Sequence, residues 1–225
     1  MQAVILAAGR GTRMGTLTES TPKPLLPLLG KRLIERTIEN LPDAVTEVVI
    51  VVNYRKEDIM AALGNEYAGK KIRYVHQAER SGTASALHAA REHLGERFLV
   101  LMSDDVYSRE SMEASLAHPY AITRFKVPSQ PGMHSVIAAA DGTLARIGAD
   151  EDGSWINTGL YTLGPAFFER DPHMLPGGEY SLPHTLAELA KQIPVQVLDA
   201  DFWLQVNTPD DLAAAEAVLK KRGTS

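Results

Sequence analysis

"ILAAGRGTRM" occupies residues 5–14. Its apolar run ends at Ala8 and breaks into Gly9 and Gly11, a threonine and two arginines. A buried strand that ends in glycines brings backbone N–H groups to a turn with no Cβ in the way, which suits phosphate. Two widespread phosphate loops do not fit. The dinucleotide fingerprint G-x-G-x-x-G is met by Gly9 and Gly11 but fails at Met14, and the second apolar run, "EVVIVVN" (47–53), closes in Asn53 rather than in an acid. A nicotinamide-binding reading fails with it. The P-loop pattern G-x-x-x-x-G-K-[ST] is absent.

Around this turn the chain has 225 residues, 44% hydrophobic and 23% charged, an ordinary globular composition. A net charge of −5 argues against a nucleic-acid surface, so any cationic site is local. With no cysteine there is no disulfide, thiolate nucleophile or Cys-based zinc site. The first apolar run is too short for a signal peptide, and none approaches the ~20 residues of a membrane span. The expectation is a cytoplasmic protein with no nucleic-acid or membrane partner.

Apolar runs at 3–8, 47–53, 71–77 and 97–104 read as parallel strands. Helical spacing covers 32–41, 56–64 (with Gly64 as C-cap) and 83–94. This β-α alternation predicts an α/β, Rossmann-like, doubly wound sheet, mixed but mostly parallel, with its ligand beyond the carboxyl ends of the strands. From about 118 to 165 the pattern becomes an antiparallel β-meander, an inserted lid with "ADGT" and "EDGS" as hairpin turns. A Pro/Gly-rich loop (170–180), a helix (182–192) and a strand (194–200) follow. Thr208 as N-cap and Pro209 open the last helix. No repeat or linker appears, so residues 1–225 form a single domain: a nucleotide-binding half, 1–117, and an acceptor-binding half, 118–225.

"GRGTRM" (9–14) is followed after about ten residues by "TPKPLLPL" (21–28), and that pairing is far more specific than either half. With "GTASALHAA" (82–90), "LMSDDV" (101–106), "NTGLY" (157–161) and "FWLQVNTPDDL" (202–212) in order, the chain resembles the sugar-phosphate nucleotidyltransferases from end to end. Their fold and chemistry are then implied: the phosphate of an acceptor attacks the α-phosphorus of a nucleoside triphosphate and releases pyrophosphate, with Mg²⁺ as cofactor. The resemblance implies a nucleotide-binding set of Leu6, Ala7, Ala8, Gly9, Gly11, Thr12, Arg13, Gln77, Gly82 and Thr83, with Arg13, Lys23 and Asp104 catalytic. Arg13 offers a planar fork to phosphate; Lys23, between Pro22 and Pro24, is a point charge on a stiff backbone. An acceptor phosphate whose second pKa is ~6 is mostly dianionic at pH 7 and needs no general base.

Asp104 and Asp105 end the fourth strand and point opposite ways; the resemblance makes Asp104 the metal ligand. The family's usual second acid is replaced by Gln205, and Asn207, which shares its face on an extended chain, is the alternative ligand. An amide at Gln77 suits a pyrimidine edge, CTP or UTP. Asn157, Thr158, Gly159 and Arg124 are the candidate acceptor site, with Arg146 as a further phosphate partner. The usual I-x-E-K-P is missing, "ARIGADEDG" standing in its place, and Ser135 replaces a glycine. Inositol-1-phosphate cytidylyltransferase-like members and short uridylyl- or thymidylyltransferases are closest in style. The expected partners are a nucleoside triphosphate and a small phosphorylated acceptor, in a monomer or homodimer. A catalytically silent nucleotide or sugar-nucleotide binder is the alternative.

Overall fold

The computed structural model describes residues 1–78, 82–128, 134–149 and 154–223. Four parallel strands form its centre: β1 (Gln2–Ala7), β2 (Glu47–Val52), β3 (Lys70–His76) and β4 (Phe98–Met102), in the order β4-β1-β2-β3. Both faces of β1 are covered, which explains its unbroken apolar run. Val4 and Leu6 pack into one hydrophobic cluster, Ala3, Ile5 and Ala7 into another on the opposite face. Helices α1 (Leu33–Asn40), α2 (Lys56–Leu63) and α3 (Thr83–Ala89) connect these strands, and α4 (Arg109–Leu116) follows β4. The helix expected over 83–94 stops being α-helical at Ala89 and continues as a 3-10 turn over Arg91–His93.

The antiparallel part is continuous with this sheet. β5 (Ala121–Lys126), β6 (His134–Ala138), β7 (Leu144–Ala149) and β8 (Trp155–Leu163) join it where β8 pairs β4 through Tyr161↔Val100. The "ADGT" turn lies between β6 and β7 as expected, with Gly142 at φ 81°; the first three residues of "EDGS", 151–153, lie outside those described. α5 (Leu182–Leu189), β9 (Gln196–Asp199, parallel to β5) and α6 (Pro209–Lys221) complete the chain. No described helix is long and apolar enough to cross a membrane.

A third cluster fixes the glycine turn. Met14, which breaks the dinucleotide fingerprint, is 1% exposed and packs with Leu26, Leu28, Leu33, Val206 and two α6 residues, Ala215 and Leu219. The methionine plugs the turn into the body of the fold.

β8 carries a register shift between Asn157 and Tyr161, with Gly159 at φ 78°. A Cβ there would stand 2.5 Å from Met102 Cγ, so Gly159 is demanded by backbone conformation and by the approach of β4. Gly159→Ala is expected to lower stability by ~1–3 kcal/mol. Gly177, with nothing within 4 Å of its would-be Cβ, is the control. Equal denaturant midpoints for Gly159→Ala and Gly177→Ala would contradict this.

Candidate active site

The carboxyl ends of β1 and β4 open into a cavity of about 710 Å³. The turn after β1 supplies one wall through Leu6, Ala8, Gly9, Arg10, Gly11, Thr12 and Arg13. Ala7, expected in the nucleotide-binding set, is not on that wall; strand alternation turns its side chain into the core on the opposite face. Gly11 is left-handed at φ 63°, and a Cβ on it would meet Lys23 Cβ at 2.8 Å. That approach carries Lys23 under the turn. Thr18 closes the loop by donating to the carbonyls of Gly11 (3.0 Å) and Gly15 (3.3 Å).

Lys23 is 5% exposed and begins a short 3-10 turn, Lys23–Leu25, held by Pro22 and Pro24. Its ammonium forms an ion pair with Asp104 and donates to Asn207 Oδ1 at 3.0 Å. Arg13 donates to the same Oδ1 at 3.1 Å. Residues 13, 23, 104 and 207, far apart in sequence, thus meet in one polar cluster on the cavity floor. Asn207 is aimed by the start of α6: the Asp211 carboxylate accepts from the backbone N–H groups of Asn207 (2.9 Å) and Thr208 (2.8 Å). Thr208 in turn accepts from Asp211 N–H, completing a capping box with Pro209 in the first turn. Gln205 also lines the cavity while Val206 between them is buried, so residues 205 and 207 share a face.

The two aspartates follow β4 in a turn and both line the cavity, but their settings differ. Asp105 is buried, accepting from Trp203 Nε1 at 3.2 Å and Val206 N–H at 3.3 Å. Burial, then the neighbouring Asp104 carboxylate, pushes its carboxyl well above the usual range. Asp105 ties the end of β4 to the 203–207 segment and so sets the distance between Asp104 and Asn207. Tyr107 does the same toward β8, accepting from Met102 N–H (3.2 Å) and donating to the Thr158 carbonyl (3.0 Å); burial raises its phenol further, and it stays a hydroxyl.

Gln77 is buried at the end of β3 and lines the cavity; its Nε2 donates to the Gly82 carbonyl at 3.3 Å. Asn53, which closes β2 where an acid was sought, donates to the Gln77 carbonyl at 2.5 Å. Gly82, at φ 95°, is pressed against Tyr180: a Cβ would lie 2.5 Å from its carbonyl oxygen. Thr83 lines the cavity, but its hydroxyl already accepts from Leu182 N–H at 3.0 Å.

On the acceptor side, Asn157, Thr158 and Gly159 line the cavity. The Asn157 amide donates to Tyr161 Oη at 2.5 Å and accepts from Gly159 N–H at 3.1 Å. Thr158 spends its hydroxyl on the Thr123 carbonyl at 2.9 Å. Arg124 is absent from the lining: it pairs with Asp199 at 2.7 Å, donates to the Val136 carbonyl at 3.1 Å and lies 4.2 Å over the Trp155 ring. It fastens β5 to β9, β6 and β8, and the structure does not bring it to the cavity wall. Arg146 does not line the cavity either. Sequence reasoning missed Tyr161, Leu175, Glu179, Tyr180, Ser181 and Pro183, all of which do. The Pro/Gly-rich "LPGGEYSLP" loop was the only local signal for most of them.

A glycine turn and a cation–carboxylate–amide cluster at the mouth of a parallel sheet define a nucleotide-handling α/β protein. The chain belongs to the nucleotidyl transferase family, whose sequence profile matches residues 2–222. It is 28% identical over 225 residues to the bifunctional protein GlmU of Methanocaldococcus jannaschii, covering 97% of this chain and 54% of that one. It is 33% identical to the bifunctional IPC transferase and DIPP synthase of Archaeoglobus fulgidus, covering 97% of this chain and 44% of that one. The chain thus spans about half the length of these bifunctional relatives. With the UTP–glucose-1-phosphate uridylyltransferase AglF of Haloferax volcanii it is 30% identical over 100% of this chain and 98% of the other. A UDP-glucose pyrophosphorylase solved with UDP-glucose shares the fold, with a TM-score of 0.80 at 19% identity over 98% of both chains. A Bacillus anthracis structure assigned as a glucose-1-phosphate thymidylyltransferase does so at 0.84 and 21% identity, over 97% of this chain and 95% of that one.

Asp105→Asn keeps the volume but offers one acceptor oxygen to two buried N–H groups. A loss of ~1–3 kcal/mol is expected, read as a Tm fall of ~2–4 °C per kcal/mol for a chain of this size. An unchanged melting curve would show that Asp105 does not tie β4 to the 203–207 segment.

Proposed function

We propose that the protein condenses a pyrimidine nucleoside triphosphate, CTP or UTP, with a sugar-1-phosphate or polyol phosphate, giving the nucleotide-linked product and pyrophosphate. The observation that carries this reading is the convergence of Arg13, Lys23, Asp104 and Asn207 beside the glycine turn. Two cations meet there at the point where two phosphates have to be brought together against their own repulsion.

The residues present fit a divalent ion. One ammonium already touches both Asp104 and Asn207 Oδ1, so a single cation reaches both oxygens. No group of three His, Cys, Asp or Glu side chains that could hold a metal occurs among the described residues. One carboxylate and one amide suit Mg²⁺, which keeps waters and substrate phosphates as its remaining ligands. When bound, the ion neutralises phosphate charge. In the reaction an acceptor phosphate oxygen forms a bond to the α-phosphorus while the bond to the bridging oxygen of the β-phosphate breaks, and that oxygen leaves on pyrophosphate. Arg13 and Lys23 draw both phosphates to one place and stabilise charge on the transferring group. The glycine-turn N–H groups orient the triphosphate, and Gln77 and the backbone of Ala8 support a pyrimidine base. Asn157 exchanges its internal partners for acceptor hydroxyls.

Pyrophosphate release from the four NTPs with a panel of sugar and polyol phosphates and magnesium tests the proposal. Turnover should need the metal and favour CTP or UTP. Nucleotide binding with no turnover on any acceptor would favour a silent binding protein instead.

Asp104→Asn is expected to lower kcat by ~10²-fold or more, the scale on which charge-stabilising groups act, with little change in Tm. Wild-type turnover at saturating magnesium would remove Asp104 from the metal site. Arg13→Ala should weaken triphosphate binding by ~1.5–3 kcal/mol; equal affinity by calorimetry would remove Arg13 from the phosphate site.

A further inference from the structure

The phosphate turn carries a third cation that the reading above leaves without a role. Arg10 sits between Gly9 and Gly11, is exposed and lines the cavity. Its guanidinium carbon lies 5.5 Å from the centre of the Tyr54 ring, and among the described residues no carboxylate pairs with it. Stacking over a ring uses the face of a guanidinium and leaves its in-plane N–H donors open, so the group keeps both its charge and its fork for an anion.

Tyr54 is suited to present it. The residue follows β2, and its hydroxyl points to the Thr18 carbonyl at 3.1 Å and the Glu19 carbonyl at 3.2 Å. The ring is therefore fastened to the far end of the same loop whose beginning carries Arg10. The sheet order decides direction. β2 flanks β1 on one side and β4 flanks it on the other, so Arg10, over Tyr54, leans away from the strand that leads to Asp104. Arg13 and Lys23, by contrast, both reach Asn207 at the Asp104 end. The loop thus divides its cations: two on the β4 side, both on Asn207, and one on the β2 side, over Tyr54.

We propose that Arg10, presented by Tyr54, grips the β,γ-diphosphate end of the nucleotide, and pyrophosphate itself in the reverse reaction. This rests on the nucleotidyltransferase reading, and it gives the leaving group its own cation, separate from those serving the α-phosphorus. A nucleoside monophosphate lacks that end and makes no use of Arg10.

The test is calorimetric binding of UTP, UMP, CTP, CMP and pyrophosphate, with magnesium, to the wild type and to Arg10→Ala. Arg10 is exposed, so the variant is expected to fold; its melting curve checks this. Triphosphate and pyrophosphate affinity should fall about ten- to a hundredfold, while monophosphate affinity stays within about twofold. No loss, or an equal loss for monophosphates, would overturn the assignment. Tyr54→Leu should reproduce part of the triphosphate loss and add little on top of Arg10→Ala, whereas Tyr54→Phe, which keeps the ring, should lose less. A Tyr54→Leu loss that adds fully to that of Arg10→Ala would overturn the presenting role. The two readings fail separately. A wild type that turns over while Arg10→Ala binds every ligand normally removes Arg10 alone. A wild type that never turns over, yet loses triphosphate selectively in Arg10→Ala, removes nucleotidyl transfer and keeps the anion site.

Discussion

The contact of the Lys23 ammonium with Asp104 and Asn207 is the interaction on which the site's geometry turns. It joins three parts of the chain with no local reason to meet: the Pro-Lys-Pro turn, the end of β4 and the entry to α6. A paired buried charge is weak support for stability, since desolvation offsets most of the attraction. Its value here is positional. The lysine is preset between two oxygens on the wall of the cavity, which on the proposed function two phosphates would share. Gly11 makes this possible, because only a residue without Cβ lets the turn lie over the lysine at that distance.

The remaining elements act as braces for that contact. Asp105 fixes the end of β4 against Trp203 and Val206; Asp211 fixes Asn207 from the first turn of α6. Met14 fixes the glycine turn against α6 itself. A mobile-looking glycine loop is therefore pinned at both ends, by a methionine in a hydrophobic cluster and by a threonine bonded to the carbonyls of Gly11 and Gly15. Preorganisation of this kind spares the ordering entropy that a loose phosphate loop would lose on binding.

Much of this was legible in the sequence, for a definable reason. Alternation along an extended chain places residues 205 and 207 together, and the cap chemistry of Thr208 and Pro209 marks the start of α6; each is a local rule and holds, whereas Asp104 and Asp105 lie past the end of β4 and both line the cavity. The same alternation turns the Ala7 side chain into the core. Arg124 was illegible in another way. Its partners, Asp199, the Val136 carbonyl and the Trp155 ring, come from three later segments, and nothing in "AITRFK" distinguishes a fastener from a ligand. The loop bearing Leu175, Glu179 and Tyr180 lacks periodicity. The crowding of Tyr180 against Gly82, nearly a hundred residues away, and the Ala84 N–H donated to the Tyr180 carbonyl at 3.0 Å show that it closes the cavity.

The lining of the cavity bears on acceptor choice. Its cations, Arg10, Arg13 and Lys23, all come from the first 23 residues, whereas the acceptor half contributes amides, hydroxyls, aromatic rings and one carboxylate, Glu179. Among the described lining residues, then, no cation stands on the acceptor side to hold a phosphate there. On the proposed function, an acceptor phosphate is drawn instead to Lys23 and Arg13, the same groups that would face the α-phosphorus. On that reading the charge that recognises the acceptor would also bring its nucleophilic oxygen to the reacting atom, while the rest of the acceptor would be read by shape and hydrogen bonding alone. A site divided in this way leaves the wall free to change its acceptor by exchanging neutral side chains, without disturbing the cations that the chemistry requires.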